Sequence, residues 1–210
     1  MPAAVRRRPS WPGRVAAVAA LLGIAACTTP QIDGQWSDPA FAGRTLRETT
    51  VLVYCRAPDS TLARLCEDRL ISNLGEGGVR ALRPDPLPDP GAPPAVLIDG
   101  ARIAGATSVL TATMAIAAVT QIGAGPTIGF GFGNYSGNVG IGGGFAIPLG
   151  GVRTLPVLAS NTVLVDVASG REVWSARATS PSADELPVQI AWLARASTEA
   201  MRRGELFAPR

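Results

Sequence analysis

The sequence contains no histidine and no lysine, so its 19 basic residues are all arginine. Without histidine the chain has no imidazole base, no Ser-His-Asp or Cys-His pair and no histidine-ligated metal. Charged residues make up only 17% of the chain, whereas hydrophobic residues make up 47%. That composition excludes an intrinsically disordered chain, and a length of 210 residues excludes a disulfide-stapled miniprotein. The length is that of a single domain with a substantial core.

The positive charge is concentrated at the N-terminus. Four arginines lie within residues 1–26, which contain no acidic residue. Removal of these residues leaves 15 arginines against 16 acidic residues, a net charge of about −1. Since a nearly neutral chain has no electrostatic footprint for nucleic acid, we expect no nucleic-acid partner.

An uncharged apolar run, residues 15–26, follows the basic segment. Twelve apolar residues suit a transient export signal, whereas a spanning helix needs roughly 20. The run leads into Ile24-Ala25-Ala26-Cys27, which resembles the bacterial lipobox. In proteins with that box the signal is cut before the cysteine, here between Ala26 and Cys27. The cysteine then carries an S-diacylglycerol and an N-acyl chain such as palmitate.

We therefore expect residues 1–26 to be a cleaved lipoprotein signal peptide and Cys27 to be the lipidation site. Two alternatives are an ordinary cysteine in a cleaved secretory signal and an uncleaved hydrophobic N-terminus. Thr28 follows the cysteine, and by resemblance to sorted lipoproteins this favours the outer membrane, with the domain facing the periplasm. Residues 27–45 are turn-rich and predict a lipidated tether. Its Trp36 and Phe41 either pack on the domain or touch lipid headgroups.

Residues 46–207 alternate strand and helix signals, which predicts an α/β domain with a mixed sheet. Its expected form is a single two-layer domain with helices on one face and a protruding glycine-rich hairpin. The last helix is predicted to begin between Ser182 and Pro187: Ser182 with Glu185 resembles a capping box, whereas Pro187 favours a slightly later first turn. A proline-rich loop occupies residues 83–94. We predict strands over 49–55, 79–82, 106–120, 157–167 and 171–179, and helices over 60–74, 95–105 and 186–201.

The glycine-rich segment 123–151 is the most unusual feature, with twelve glycines in 29 residues. Apolar residues recur at every second position on both sides of a turn predicted at Tyr135-Ser136-Gly137-Asn138, which indicates a hairpin with one apolar and one bare face. The segment is either a loose exposed hairpin or a contact arm for another copy, a partner or lipid. Insertion into lipid would require a closed ring of strands from several copies. The candidate contact residues are Phe130, Phe132, Tyr135, Ile141 and Phe145.

Cys55 and Cys66 are the other two cysteines, one ending a predicted strand and the other within the following helix. We expect two buried thiols, because sheet-to-helix packing is usually wider than a disulfide allows. A disulfide is the alternative for an exported domain, and a metal or nucleophile role is a third. The acid pairs Glu67-Asp68 and Asp184-Glu185 are expected to be solvated faces or caps. No cofactor, metal site or catalytic residue is predicted.

Several short motifs in this order resemble those of a group of Gram-negative envelope lipoproteins. The motifs are Val51-Leu-Val-Tyr54, Leu74-Gly75, Gly78-Val79, Gly105-Ala-Thr-Ser-Val-Leu110 and Asp166-Val-Ala-Ser-Gly-Arg-Glu-Val-Trp174. The domain of that group is similar to the N-terminal domain of the Tol-system β-propeller protein and to the periplasmic domain of the curli secretion lipoprotein. The resemblance spans about residues 45–207 and implies a compact α/β domain without catalytic residues.

Three functions follow as hypotheses. The first is a non-enzymatic outer-membrane lipoprotein that acts through protein contacts in envelope maintenance or transport, with an envelope protein or another copy as partner. The second is a ring- or pore-forming secretion component that oligomerises through the glycine-rich hairpin. The third, with least support, is an envelope hydrolase.

Overall fold

The computed structural model describes residues 31–86, 88–89, 93–123, 127–136, 139–148 and 152–207, and only the backbone within 121–153. The predicted signal peptide, its cleavage point at Ala26 and the lipidation site Cys27 lie outside these residues.

The described chain contains a six-stranded mixed sheet, a separate two-stranded hairpin and three helices. The sheet has the order β1-β8-β7-β4-β2-β3, in which β2 runs parallel to β3 and β4 while the other pairs are antiparallel. This confirms the predicted α/β class. The elements are β1 (Gln31–Ser37), β2 (Thr50–Arg56), α1 (Ser60–Glu76), β3 (Arg80–Leu82), α2 (Pro94–Ile103), β4 (Ser108–Gly123), β5 (Thr127–Ser136), β6 (Val139–Pro148), β7 (Val152–Asp166), β8 (Glu172–Thr179) and α3 (Leu186–Arg203).

The helices cover both faces of the sheet, not one as the sequence predicted. Helices α1 and α3 enclose the main core, which includes Val53, Leu110 and Trp174. Helix α2 packs on the opposite face over Leu52 and Tyr54. The reason is that β2 is apolar on both faces, and a strand of this kind needs cover on each side.

Helix α1 begins and ends where the sequence predicts. The Asp59 carboxylate accepts a hydrogen bond from the Leu62 N–H at 2.9 Å, which satisfies one free donor of the first turn. Its stripe of Leu62, Leu70 and Leu74 is buried. The chain then turns at Gly78, whose φ of +78° favours glycine.

Helix α3 begins without the predicted capping box. Glu185 is the N-cap residue, but its side chain makes no capping hydrogen bond. Pro187 lies in the first turn and has no backbone N–H. The first turn therefore has one fewer donor that needs a hydrogen-bond partner. Gly204 follows the last turn, in agreement with the sequence.

Within residues 27–45, predicted as a lipidated tether, the described residues from Gln31 onward are part of the domain. Residues Gln31–Ser37 form β1, an edge strand paired with β8. A short 3-10 turn over Pro39–Phe41 follows, in which Phe41 is buried. Asp38 caps this turn by accepting from the Ala40 N–H, and it also pairs with Arg171. Trp36, in contrast, is 48% exposed.

Candidate functional site

Strands β4 and β7 continue as a two-stranded ribbon beyond the rest of the sheet. The last row that spans four strands joins Gln31, Thr179, Ala159 and Ala115. Past that row, residues 116–123 of β4 pair only with residues 152–158 of β7 within the described chain. We call these paired segments the ribbon.

The ribbon has little support from the domain. Residues 115–120 are all exposed, including Ile116 at 55% and Val119 at 56%. The register shifts between Ile116 and Ala118, which is a β-bulge at the point where the ribbon leaves the sheet. A bulge bends and twists a strand pair locally, so it redirects the ribbon relative to the sheet.

The hairpin of β5 and β6 keeps the register of the ribbon. Gly123 pairs with Val152, and Thr127 pairs with Pro148, so four steps forward on one strand match four steps back on the other. The pairing then runs without a shift to Ser136 opposite Val139. The described pairs of the ribbon from Ala118 onward and those of the hairpin therefore have the same antiparallel register.

That register gives the hairpin two different faces. Phe130 is opposite Phe145, while Gly131 is opposite Gly144. Since directly opposed residues share a face, the apolar positions of both arms lie on one face and most glycines on the other. On the apolar face lie Ile128, Phe130, Phe132, Ile141, Phe145 and Ile147.

Tyr135 departs from the sequence prediction. It belongs to β5 and pairs with Gly140, so it lies in a strand and not in the turn. Its register position falls on the glycine face, away from the other four candidate contact residues. The side chains of these residues are outside what the structure describes.

Gln189 fixes the base of the ribbon. Its side chain is fully buried, and its Oε1 accepts hydrogen bonds from the Leu158 N–H at 2.9 Å and from the Ser180 hydroxyl. Its Nε2 donates to the carbonyls of Pro156 and Ala183, both at 2.9 Å. The amide therefore ties α3 to β7 where β7 enters the sheet. The sequence analysis missed it, although a glutamine beside Ile190 in an apolar stripe was the available signal.

The N-terminal segment enters the domain at the end from which the ribbon leaves. Gln31, the first residue of β1, lies in the same row as Ala115 and Ala159. Strand β1 then runs away from the ribbon. Cys27 precedes Gln31 by four residues, and a chain of that length spans no more than about 14 Å.

Cys55 and Cys66 are joined by a disulfide, with their Cα atoms 6.1 Å apart. This corrects the expectation of two free thiols: α1 lies close enough over β2 for the bridge. Both residues are buried. Glu67, predicted to be solvated, is also buried, and its carboxylate accepts from the Cys55 N–H and pairs with Arg64. Its neighbour Asp68 is exposed and pairs with Arg83.

Among the residues that the structure describes, no group of three or more histidine, cysteine, aspartate or glutamate side chains could hold a metal ion. Nor does any helix of that part of the chain combine the length and apolar character needed to cross a membrane.

Comparison with known proteins yields structural neighbours. No family model and no curated protein matches the chain. The PelC dodecamer from Paraburkholderia phytofirmans is similar in structure, with a TM-score of 0.51, 19% identity, and coverage of 87% of this chain and 100% of that one. At this identity the likeness shows a shared fold.

Two more distant structures were also found. A second PelC dodecamer from the same organism has a TM-score of 0.48 and 16% identity over 81% of this chain and 98% of that one. A PDZ domain protein from Parabacteroides distasonis has a TM-score of 0.40 and 10% identity over 83% of this chain and 37% of that one.

Proposed function

We propose that this protein is a non-enzymatic, lipid-anchored lipoprotein of the outer membrane that assembles into a ring through its glycine-rich hairpin and serves secretion. The observation that carries the proposal is the common end of the domain at which the N-terminal segment enters and the ribbon leaves. The domain faces the periplasm in this arrangement.

The distances support a hairpin that meets the membrane. A lipid on Cys27 holds the membrane surface within about 14 Å of Gln31. Residues 116–123 extend about 26 Å beyond the row of Gln31, at roughly 3.3 Å per residue. Strand β5 adds ten residues, or about 33 Å. The hydrocarbon core of a bilayer is about 30 Å thick, so each arm has the length to cross it.

The chemistry of the hairpin supports assembly of several copies. One hairpin in lipid would leave backbone donors and acceptors unpaired along both outer edges, which costs several kcal/mol for each group. Pairing with hairpins of neighbouring copies removes those edges when the ring closes. The apolar face then meets lipid, while the glycine face lines the passage. The fold is shared with a PelC dodecamer, which supports an assembly of identical copies.

The anchor is tested by palmitate labelling in a Gram-negative host. We expect label on the wild-type protein and none on Cys27→Ser, because the thiol is the acceptor of the lipid. A Cys55→Ser, Cys66→Ser double variant is the control and should label as the wild type does. Equal labelling of wild type and Cys27→Ser would refute the anchor.

Assembly is tested by the mass of the full-length protein extracted from membranes in mild detergent. We expect a closed oligomer for the wild type. A variant in which Asn-Gly replaces residues 127–148 retains the ribbon and the anchor, and it should not conduct ions in planar bilayers. A wild-type protein that is monomeric at all concentrations would favour the other candidate, a lipoprotein that contacts a different envelope protein.

A further inference from the structure

The sheet carries two exposed apolar patches at its opposite edges. At one edge Trp36 of β1 is 48% exposed. At the other, a groove of about 580 Å³ lies between α2 and the proline-rich segment, beside edge strand β3. Ile103 and Val96 on the rim of this groove are 90% and 46% exposed. We call this feature the α2 groove.

Both patches lie on the same face of the sheet. Tyr54 packs beneath α2, so it marks the face on which α2 sits. Directly paired residues on neighbouring strands lie on the same face of the sheet. A row of paired residues therefore traces this face from Tyr54 to the edge strand β1. The row consists of Tyr54, Thr111, Val163, Ser175 and Trp36.

The two patches also lie at similar heights along the strands. Leu52 of β2 lines the α2 groove and lies two residues before Tyr54, in the same apolar cluster. At roughly 3.3 Å per residue, the groove therefore reaches within about 7 Å of the level of Tyr54 and Trp36 along the strands. An indole that approaches edge β3 at the level of Trp36 meets the groove after a displacement of no more than about 7 Å along the strands.

A single chain cannot bring its own patches together. From β1 to β2 there are four strand spacings, about 19 Å in all at roughly 4.8 Å each. A head-to-tail interface requires two complementary patches on different sides of one molecule. Such an interface repeats from copy to copy until a ring closes. Within the described sheet, the outer strands β1 and β3 each have one edge without a neighbouring strand. When β1 of one copy approaches β3 of the next, one sheet continues into the other.

We propose that Trp36 of one copy seats in the α2 groove of the next, and that this contact sets the repeat of the ring. The inference rests on the proposed assembly and names the surface that builds it outside the membrane. A groove of this size is within the roughly 300–1,000 Å³ of pockets that enclose small ligands, so it accommodates an indole. Trp and Tyr dominate contacts of this kind because one rigid side chain buries a large area.

The test is disulfide crosslinking of the full-length protein in membranes. A Gly34→Cys, Ile103→Cys double variant keeps Trp36 and places one thiol two residues from it on β1, at an exposed position with room for a side chain. It should give, under mild oxidation, a ladder of covalent oligomers up to the size of the ring. The native disulfide and the proposed lipid occupy the three natural cysteines. Neither single variant should give more than dimers. As a matched control, Gly34→Cys with Arg69→Cys, exposed on α1 at the other face, should give no ladder.

Size measurements complete the test. Trp36→Ala should lower the assembled fraction at least tenfold at limiting concentration, while Trp36→Phe should retain most of it. Oligomers that form normally in Trp36→Ala and crosslink equally through position 69 would overturn the groove contact and leave the ring intact. A wild-type protein without oligomers would overturn both proposals. Protection of Trp36 by lipid in place of protein, seen by depth-dependent fluorescence quenching, would also overturn the contact.

Discussion

Gln189 shows how one buried polar side chain determines where a strand pair leaves the sheet. All four hydrogen-bonding positions of its amide are used, by Leu158, Ser180, Pro156 and Ala183. Pro156 has no N–H and offers only its carbonyl, to which Gln189 Nε2 donates. The amide therefore substitutes for ladder hydrogen bonds at the base of the ribbon.

Replacement of Gln189 by leucine should destabilise the domain. The apolar side chain removes the donor to the carbonyls of Pro156 and Ala183, at about 1–3 kcal/mol for each group left unpaired, while the Leu158 N–H keeps its second acceptor, the Ser180 hydroxyl oxygen. We expect urea unfolding of the Cys27→Ser protein to show a loss of about 3 kcal/mol in the free energy of unfolding. Gln31→Leu, the same change at an exposed position, should stay within about 0.5 kcal/mol of the parent. Equal effects of the two changes would contradict the role of Gln189.

The disulfide between Cys55 and Cys66 gives a second prediction at the scale of single residues. Denatured protein should contain no reactive thiol at Cys55 or Cys66 until a reductant is added, as measured by alkylation and mass spectrometry. Reduction should cost about 2–3 kcal/mol of stability, since the bridge closes a short loop. Alkylation of both thiols without reductant would contradict the disulfide and support the two free thiols expected from the sequence.

At the scale of elements, the sequence predicts most strands and helices and misses what depends on tertiary neighbours. The buried strand β2 and helix α1 are strongly patterned, so their positions follow from local signals. Strand β1 is polar apart from Ile32 and Trp36, and it is a strand only because β8 provides a partner. The side of the sheet taken by α2, and the approach of α1 that permits the disulfide, are properties of packing that no local pattern contains.

The features of the candidate site also divide into those that a local sequence pattern predicts and those that depend on distant residues. The period of two in segment 123–151 predicts a two-faced hairpin, because alternation is a local property. The shared register with the ribbon is a relation between β4 and β7, which lie far apart in the sequence. Gln189 was missed for the same reason, since its partners lie on β7 and in the connection between β8 and α3.

Neighbouring positions on opposite faces of the hairpin give a matched prediction. Phe130→Arg puts a charge on the face assigned to lipid, at a cost of about 2–4 kcal/mol near the bilayer midplane, and should abolish insertion. Gly131→Arg puts the same charge on the face assigned to the passage. It should insert and raise the anion selectivity of the conductance in planar bilayers. Similar behaviour of the two variants would refute the assignment of faces.

At the scale of the whole molecule, the proposed anchor, the ribbon and the proposed edge contact have complementary roles. The N-terminal segment and the ribbon occupy one end of the domain, which is the end that faces the membrane in the proposed function. The opposite edges of the sheet carry Trp36 and the α2 groove, which we propose to form the contact between copies. In this proposal, assembly outside the membrane brings the hairpins together, so that none of them enters lipid with open edges.

The central claim, that the hairpin crosses the outer membrane, is tested most directly at its tip. Ser136→Cys, at the end of β5, should react in intact cells with a maleimide that cannot cross the outer membrane. Arg69→Cys, on the domain that we propose to face the periplasm, should react only after the outer membrane is permeabilised. If Ser136→Cys also reacts only after permeabilisation, the hairpin does not cross the membrane and the account is contradicted.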